Sequence, residues 1–464
     1  MYFQIKRTGV VSLLHKLSRS QNNTSFCSSS VNSNSCEQMM HATCPLWKIP
    51  YEMQLKLKYL RMKSLLQKLT NELIQLEAAT GNIRTLTNTR EHAGLCCPLS
   101  EVIPSPQVEG YRNKSDFSVG VGQDGNEKTV GMLVGSWKKK NVVCVSAEKC
   151  LNISSAHKRI GKLYEEFLRQ SPLGVMLVFH DDGHWRGCTV RSNLAGNMAA
   201  IVQFNPRSLN QSQLDIHKED LKQFFLKGNQ DSITSLFLQS SSKTRTYDDS
   251  SIELLHGERY LYEKLHDLTF RISPLAFFQP NTKCAEMLYS TIKELLIEGS
   301  EKQIVLVDLY CGTGTIGLYL ARSVHKVIGI EIVEQAVRDA KVNAEINGIN
   351  NAEFVCGSVE KVLPHVLSCL EPNQEVLAVV DPARSGIHSS VVKTLRNCES
   401  IRRLIYVSCK PEGESFTDFI KLCQPDGEDA RGQAWYPNKA VPVDMFPHTM
   451  HSELVIKFER EASL

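Results

Sequence analysis

From Ile304 onward the sequence alternates short apolar runs with amphipathic stretches, at the spacing of successive β–α units. The candidate strands are residues 304–309, 326–331, 353–356, 376–381 and 403–408, and the candidate helices are residues 315–323, 333–346 and 389–398. Strands connected through helices pair in parallel, and ligands lie beyond the carboxyl ends of such strands. The pattern predicts an α/β fold with a Rossmann-like, doubly wound sheet in residues 266–464.

The chain before this sheet has a different pattern of short apolar runs between glycines and polar turns. The candidate strands there are residues 117–121, 130–134, 142–145, 174–179 and 199–204. Such runs are typical of a mixed sheet, so we predict a separate mixed α+β domain over residues 101–265, to which we assign RNA recognition. Residues 207–250 are rich in Ser, Gln, Asn and Lys, and we expect them to form a connecting region with little core of its own.

Residues 41–100 form a third segment, in which leucines at helical spacing predict a basic amphipathic helix over residues 46–76. Its cations, Lys56, Lys58, Arg61, Lys63 and Lys68, either form a solvated face or contact RNA phosphates. Two later clusters, residues 111–114 and 137–140, combine cations with an aromatic residue and suit phosphate contacts with base stacking, although exposed hairpins have the same composition.

The first 36 residues contain no acidic residue, four cations and nine serines, as organelle transit peptides do. We therefore expect residues 1–40 to be a disordered, transit-like segment and the protein to be located in the mitochondrial matrix, the alternative being a polar tail. The formal charge of +3 falls to about −1 without this segment, so any RNA site must be a local patch.

The composition also limits the classes of site. The fifteen cysteines are scattered and lack zinc or iron–sulfur spacing, so we predict reduced thiols and no metal. No apolar run is long enough to span a membrane, and no obligatory protein partner is evident.

A glycine-rich turn follows the first strand of the predicted sheet. Gly312, Gly314 and Gly317 let the backbone approach a ligand, and Glu331 ends the next strand, where it is placed to bind ribose hydroxyls. This pattern fits a dinucleotide as well as S-adenosylmethionine. Asp308 favours the methyl donor, because its carboxylate can order the loop and meet a cationic amino-acid group, whereas a dinucleotide needs room for a pyrophosphate.

Two further strands end in residues that suit covalent chemistry on a base. Asp381 ends the fourth strand, and Cys409 follows the fifth, next to Lys410, whose charge would raise the thiolate fraction. Carbon 5 of uracil becomes nucleophilic only after a nucleophile adds at carbon 6, and a base must later remove the proton from carbon 5. Glu453 is our candidate base, with His451 as its competitor.

Together these motifs resemble the RNA uracil-5 methyltransferase family. The resemblance covers roughly residues 110–464, and it is carried by residues 277–281, 308–312, Glu331, 381–384, 408–411 and 444–453. It implies S-adenosylmethionine as cofactor and tRNA or ribosomal RNA as partner, with the target uridine flipped out of its stack. It also implies a pocket lined by Gln279, Tyr310, Glu331 and Asp381, with Cys409 as nucleophile and Glu453 as proton acceptor.

The sequence departs from the family pattern at Ala383 and Lys410, where Pro and Asn are expected, and it lacks the cluster cysteines of the bacterial ribosomal branch. Two alternatives from different classes are an RNA cytosine-5 methyltransferase and an inactive RNA-binding chaperone. The first commonly has a second cysteine in the strand-four motif, which is absent here. An NAD-dependent dehydrogenase is a more distant alternative.

Overall fold

The computed structural model describes residues 31–78, 84–136, 138, 141–177, 183–227, 233–241, 251–299, 303–371, 374–427 and 431–460. Residues 1–30 of the predicted transit segment lie outside these ranges, as do Trp137, Lys139 and Lys140 of the second cationic cluster. Within the described ranges, no helix has both the length and the apolar character needed to cross a membrane.

The first part of the described chain combines helices with a seven-stranded sheet. The helices are α1 (Val31–Thr43), α2 (Tyr51–Ala78), α3 (Arg84–Glu91), α4 (Ser155–Gln170) and α5 (Gln211–Leu226). The strands are β1 (Lys114–Gly120), β2 (Thr129–Val134), β3 (Val143–Val145), β4 (Trp185–Ser192), β5 (Met198–Phe204), β6 (Ser235–Ser240) and β7 (Ile252–Gly257). They lie in the order β3-β2-β1-β4-β5-β6-β7, and only β5 and β6 pair in parallel.

Three expectations for this part are corrected. Residues 207–250 are not a coreless connection, because they contain α5, whose Leu221 and Phe225 are fully buried, and the interior strand β6. The described residues of 174–179 make a single bridge at Val175 instead of a strand. The last ten residues of segment 1–40, which we expected to be disordered, belong to α1, whose Met39 is fully buried.

A hairpin and a helix lead into the second sheet. The hairpin is β8 (Leu261–Leu265) with β9 (Leu268–Ile272), and α6 (Thr282–Ile297) follows it. The sheet contains β10 (Ile304–Leu309), β11 (Lys326–Glu331), β12 (Ala352–Cys356), β13 (Glu375–Val380), β14 (Ile401–Ser408), β15 (Tyr436–Val443) and β16 (Glu453–Glu459). The helices are α7 (Thr315–Leu320), α8 (Glu334–Ile346), α9 (Val359–Ser368), α10 (Ser389–Asn397) and α11 (Glu414–Cys423).

The order of this second sheet is β12-β11-β10-β13-β14-β16-β15. The strands from β12 to β14 are parallel, while β16 is antiparallel to β14 and β15 is antiparallel to β16. The predicted doubly wound sheet is confirmed. Its strand order reverses between β10 and β13, which is where ligands bind in such sheets.

Both faces of the sheet are covered, so its central parallel strands are mainly apolar; all six residues of β10 are buried. One face packs against α6, α7 and α8, and the other packs against α2, α9, α10 and α11. The middle of α2 contributes a mainly apolar face, and each buried apolar side chain on it adds roughly 1.5–3 kcal/mol to stability: Met62, Leu65, Leu66, Leu69 and Leu73. The N-terminal helix is therefore part of the core around the second sheet.

Candidate active site

The glycine-rich turn after β10 places its backbone at the point where the strand order reverses. Tyr310, Gly312 and Gly314 all have positive φ, of 64°, 54° and 79°. A Cβ at Gly314 would lie 2.9 Å from the ring of Phe354, so this position requires glycine for its conformation and for its space. A Cβ at Gly312 would meet nothing within 4 Å, so that glycine borders open space.

Asp308 orders this turn, as the sequence predicted. Its Oδ2 accepts a hydrogen bond of 2.9 Å from the backbone N–H of Gly317 in α7. Burial raises the pKa of Asp308 to about 7, and the other oxygen, Oδ1, has no hydrogen-bond partner among the described residues. A carboxylate that occupies the start of α7 repels a pyrophosphate, whereas a cationic ligand would stabilise it.

Glu331 closes the other side of the turn. Its carboxylate accepts hydrogen bonds from the backbone N–H groups of Gly312, at 3.1 Å, and Val333, at 2.8 Å. The apolar side chains beside it are unusually exposed, Ile332 by 64% and Val333 by 55%. An acid with free lone pairs next to exposed apolar surface fits a nucleoside, whose ribose is polar and whose base is flat and apolar.

The predicted pocket residue Gln279 is buried in a segment anchored to the first sheet. Its carbonyl accepts a hydrogen bond of 2.8 Å from Asn113 Nδ2, and Asn113 N–H donates to Pro280. Of the two aromatics before it, Phe278 is buried in the core and Phe277 is 71% exposed. The expected stacking role of residues 111–114 is wrong for Tyr111, because this ring is buried and its hydroxyl donates to the carbonyl of Pro447.

The predicted pocket residue Tyr310 is half-buried directly after β10. Burial raises the pKa of Tyr310 to about 12, although the nearby backbone N–H of His388 opposes this shift. Its ring packs against the core on the side of α9 and α10. The structure therefore places the Tyr310 backbone in the turn, while its side chain points away from Asp308.

Cys409 lies half-buried in the turn after β14. The Ser408 hydroxyl donates to Ser415 Oγ at 2.8 Å and accepts from the N–H of Lys410 at 3.3 Å, which fixes this turn against α11. Burial and the neighbouring Glu453 raise the pKa of Cys409, and Arg384 lowers it through a hydrogen bond and its charge. The cation that favours the thiolate is therefore Arg384 and not the exposed Lys410, which corrects the expectation from the sequence.

Glu453 and Asp381 meet Cys409 from two sides. Glu453 begins β16, which pairs with β14, so that Leu454 lies opposite Ser408. Burial and repulsion from Asp381 raise the pKa of Glu453 well above its usual value, while Arg384 opposes this shift. Partial burial raises the pKa of Asp381 to about 7. The result is a thiol, two carboxyls with raised pKa values, and one guanidinium in a single cluster.

Within this cluster Glu453 is better placed than its competitor. His451 is exposed, and its pKa is lowered by partial burial and by Arg61 and Arg384. Glu453 is only 3% exposed, and its Oε2 has no hydrogen-bond partner among the described residues. A buried carboxyl with an unused oxygen beside a thiol is a suitable proton acceptor for chemistry at that thiol.

Two contributors to the site were not assigned from the sequence. Arg384 belongs to the strand-four motif, but no role was assigned to it from the sequence. A cation in a motif at the end of a strand is a pattern from which this role could have been predicted. Asp418 in α11 accepts from the hydroxyl of Tyr406 at 2.7 Å and from the N–H of Ile387 at 2.9 Å. Asp418 thereby holds the loop after β13 against β14. Because it lies in an ordinary amphipathic helix, no local sequence pattern indicates this role.

A family model described as tRNA (uracil-5-)-methyltransferase matches residues 254–455. The chain is 46% identical over 429 residues to tRNA (uracil-5-)-methyltransferase homolog B of Homo sapiens, covering 91% of this chain and 84% of that protein. It is 39% identical over 437 residues to homolog A of Mus musculus, covering 92% of this chain and 69% of that protein.

Among solved structures, the fold is similar to a crystal structure of Pyrococcus abyssi tRNA (uracil-54, C5)-methyltransferase in complex with S-adenosyl-L-homocysteine. The TM-score is 0.60 at 24% sequence identity, with 89% of this chain and 85% of that chain covered. The likeness supports the predicted Rossmann-like methyltransferase fold. The sequence identity to relatives over nine-tenths of its length shows that this chain belongs to the tRNA (uracil-5-)-methyltransferase family.

Proposed function

We propose that this chain forms 5-methyluridine in tRNA, with S-adenosyl-L-methionine as methyl donor, Cys409 as covalent nucleophile and Glu453 as general base. The observation that carries this proposal is the cluster of Cys409, Glu453, Asp381 and Arg384 where β13 and β14 end and β16 begins. The names of the relatives support tRNA as the substrate.

The turn after β10 fits this cofactor. The buried Oδ1 of Asp308, which has no hydrogen-bond partner in the described part of the chain, suits its ammonium group, and Glu331 with the exposed Ile332 suits its ribose and adenine. Gln279, Tyr310 and Asp381 are the remaining residues that we assign to the cofactor and target-base pocket. When bound, S-adenosyl-L-methionine supplies the methyl group that carbon 5 acquires.

The protein's own residues perform the addition and the elimination. Cys409 loses its proton to solvent, so that Glu453 stays ionised for the later step, and the Cys409 sulfur bonds to carbon 6 while the π electrons of the ring move toward carbon 5 and the carbonyl oxygen. Arg384 stabilises the thiolate. After carbon 5 is methylated, Glu453 removes its proton, the ring double bond re-forms, and the bond between sulfur and carbon 6 breaks.

Glu453→Gln tests the assignment of the base. The variant keeps Cys409 and should still form the methylated adduct, but it should release product slowly because an amide cannot accept the proton. A denaturing gel of enzyme with tRNA and cofactor should therefore show a persistent protein–RNA band. His451→Gln is the control and should turn over normally. Release by Glu453→Gln at the wild-type rate, with a trapped adduct for His451→Gln instead, would transfer the role to His451.

The product of the reaction distinguishes this proposal from its two alternatives. An RNA cytosine-5 methyltransferase would form 5-methylcytidine, and an inactive chaperone would bind RNA without transferring a methyl group. Nucleoside analysis of tRNA methylated in vitro should show 5-methyluridine alone. A product of 5-methylcytidine, or no product from intact enzyme, would replace our proposal with one of these alternatives.

We further propose that the protein acts in the mitochondrial matrix, because its first 36 residues are basic, rich in serine and free of acidic residues. A fluorescent reporter carrying residues 1–40 should enter mitochondria, and a cytosolic reporter would refute this. Ribosomal RNA is a second substrate predicted by the family resemblance. Mapping of 5-methyluridine in organelle RNA from cells that lack the protein should show which tRNA and ribosomal uridines lose the methyl group.

A further inference from the structure

The loop that leads into Glu453 is held by residues far from it in sequence. This loop, residues 444–452, connects β15 to β16. Gln54 accepts from the N–H of His448 at 2.8 Å, Leu46 N–H donates to the carbonyl of His448 at 2.9 Å, and Lys58 Nζ donates to that of Phe446 at 3.0 Å. None of these three partners belongs to the second sheet, so α2 and the residues before it form an external support for this loop.

Arg61 in α2 differs from these residues because it also reaches the loop that carries the nucleophile. Its Nε donates to the carboxylate of Glu412, and its Nη1 donates to the carbonyl of Met450 at 2.5 Å. Glu412 lies three residues after Cys409, and Met450 lies three residues before Glu453. One guanidinium therefore connects the turn after β14 with the loop before β16.

We propose that Arg61 is a positioning residue that sets the separation between Cys409 and Glu453. The inference rests on the proposed function, in which these two side chains act on adjacent carbons of the same ring. Cys409 bonds to carbon 6 and Glu453 must then reach the proton on carbon 5, so a change of separation impairs elimination after the adduct has formed. Errors of about 1 Å in such geometry can lower rates by roughly 100-fold.

Arginine suits this role because its planar guanidinium presents several donors in a rigid fork. Lysine can follow only one of the two partners closely, since its ammonium is a single point at the end of a flexible chain. The side chain of Arg61 is 29% exposed and that of Glu412 is 32% exposed, so solvent screens the ion pair and its direct contribution to stability is small. The function that we assign is therefore geometric.

The test compares full-length variants by two measurements, the turnover rate and the fraction of enzyme trapped as a protein–RNA adduct on denaturing gels during turnover. Arg61→Ala should lower turnover about 10- to 100-fold and raise the trapped fraction several-fold. Arg61→Lys should restore part of both values. Glu412→Ala, which keeps the bond to Met450, should have a smaller effect. Arg322→Ala removes another exposed arginine–carboxylate pair, with Asp267, and should match wild type.

The outcomes separate this inference from the proposed function. If Arg61→Ala lowers turnover without raising the trapped fraction, or if it matches Arg322→Ala in both measurements, Arg61 has no positioning role. Glu453→Gln, measured in the same series, should accumulate adduct. If it does while Arg61→Ala does not, only the inference about Arg61 fails; if no variant and no wild-type enzyme ever forms an adduct, the covalent mechanism itself fails.

Discussion

Replacement of Lys58 by methionine should destabilise the protein strongly, because it removes one partner of a fully buried ion pair. The side chains of Lys58 and Asp444 are both 0% exposed and pair directly, and burial lowers the pKa of Lys58 while Asp444 opposes this shift. Methionine has a similar length and adds no charge. The variant therefore leaves the Asp444 carboxylate buried without its cation, while its Oδ2 already has no hydrogen-bond partner among the described residues.

The expected loss is about 3–5 kcal/mol of unfolding free energy, the usual effect of breaking a buried pair from one side. For a domain of this size it corresponds to a decrease of roughly 6–20 °C in Tm. Lys58→Met combined with Asp444→Asn should recover most of this loss, because no charge is then buried and the asparagine oxygen can still accept from the N–H of Phe446.

Urea titration followed by circular dichroism measures these differences. Lys326→Met is the matched control: Lys326 pairs with Glu353 at 3.0 Å, but their side chains are 37% and 65% exposed. Its loss should stay below about 1 kcal/mol. The reasoning would be refuted if Lys58→Met cost no more than the control, or if the double variant were as unstable as Lys58→Met alone.

Two further predictions concern the site. Arg384 lowers the pKa of both Cys409 and Glu453, so Arg384→Gln should raise both pKa values and move the acidic limb of the pH–rate profile to higher pH. Single-turnover rates at a series of pH values measure this shift. An acidic limb that stays in place or moves to lower pH would contradict the prediction. Gly314→Ala should weaken cofactor binding and stability by more than Gly348→Ala, because both glycines have positive φ but only Gly314 is crowded by its described neighbours. Calorimetric titration measures the cofactor affinity, and thermal melting measures the stability. Equal effects of the two substitutions would contradict the prediction.

The second sheet could be predicted because its strands are recognisable from the residues within each strand. The strands β10 and β11 are buried on both faces along most of their length and are therefore nearly continuous apolar runs, so residues 304–309 and 326–331 were located without error. The strand-end positions of Cys409 and Glu453 followed from the same pattern. Their mutual proximity did not, because it depends on β16 pairing beside β14, out of chain order.

The errors arose where tertiary contacts overrule local composition. Lys58 has the composition of a solvated helix face, yet it is buried because Asp444 lies opposite it, 386 residues away in the chain. Residues 207–250 are polar overall, but a few apolar side chains such as Leu221 are enough to fix α5 on the first sheet.

The most direct test of the central claim is to identify the cysteine that bonds to RNA. Full-length enzyme is incubated with cofactor and tRNA containing 5-fluorouridine, which lacks the proton that the base must remove, and the modified peptide is identified by mass spectrometry. The account predicts RNA on the peptide containing Cys409, no adduct for Cys409→Ser, and an unchanged adduct for Cys356→Ser, which removes an exposed thiol. An adduct on another cysteine, or 5-methyluridine formed by Cys409→Ser, would contradict it.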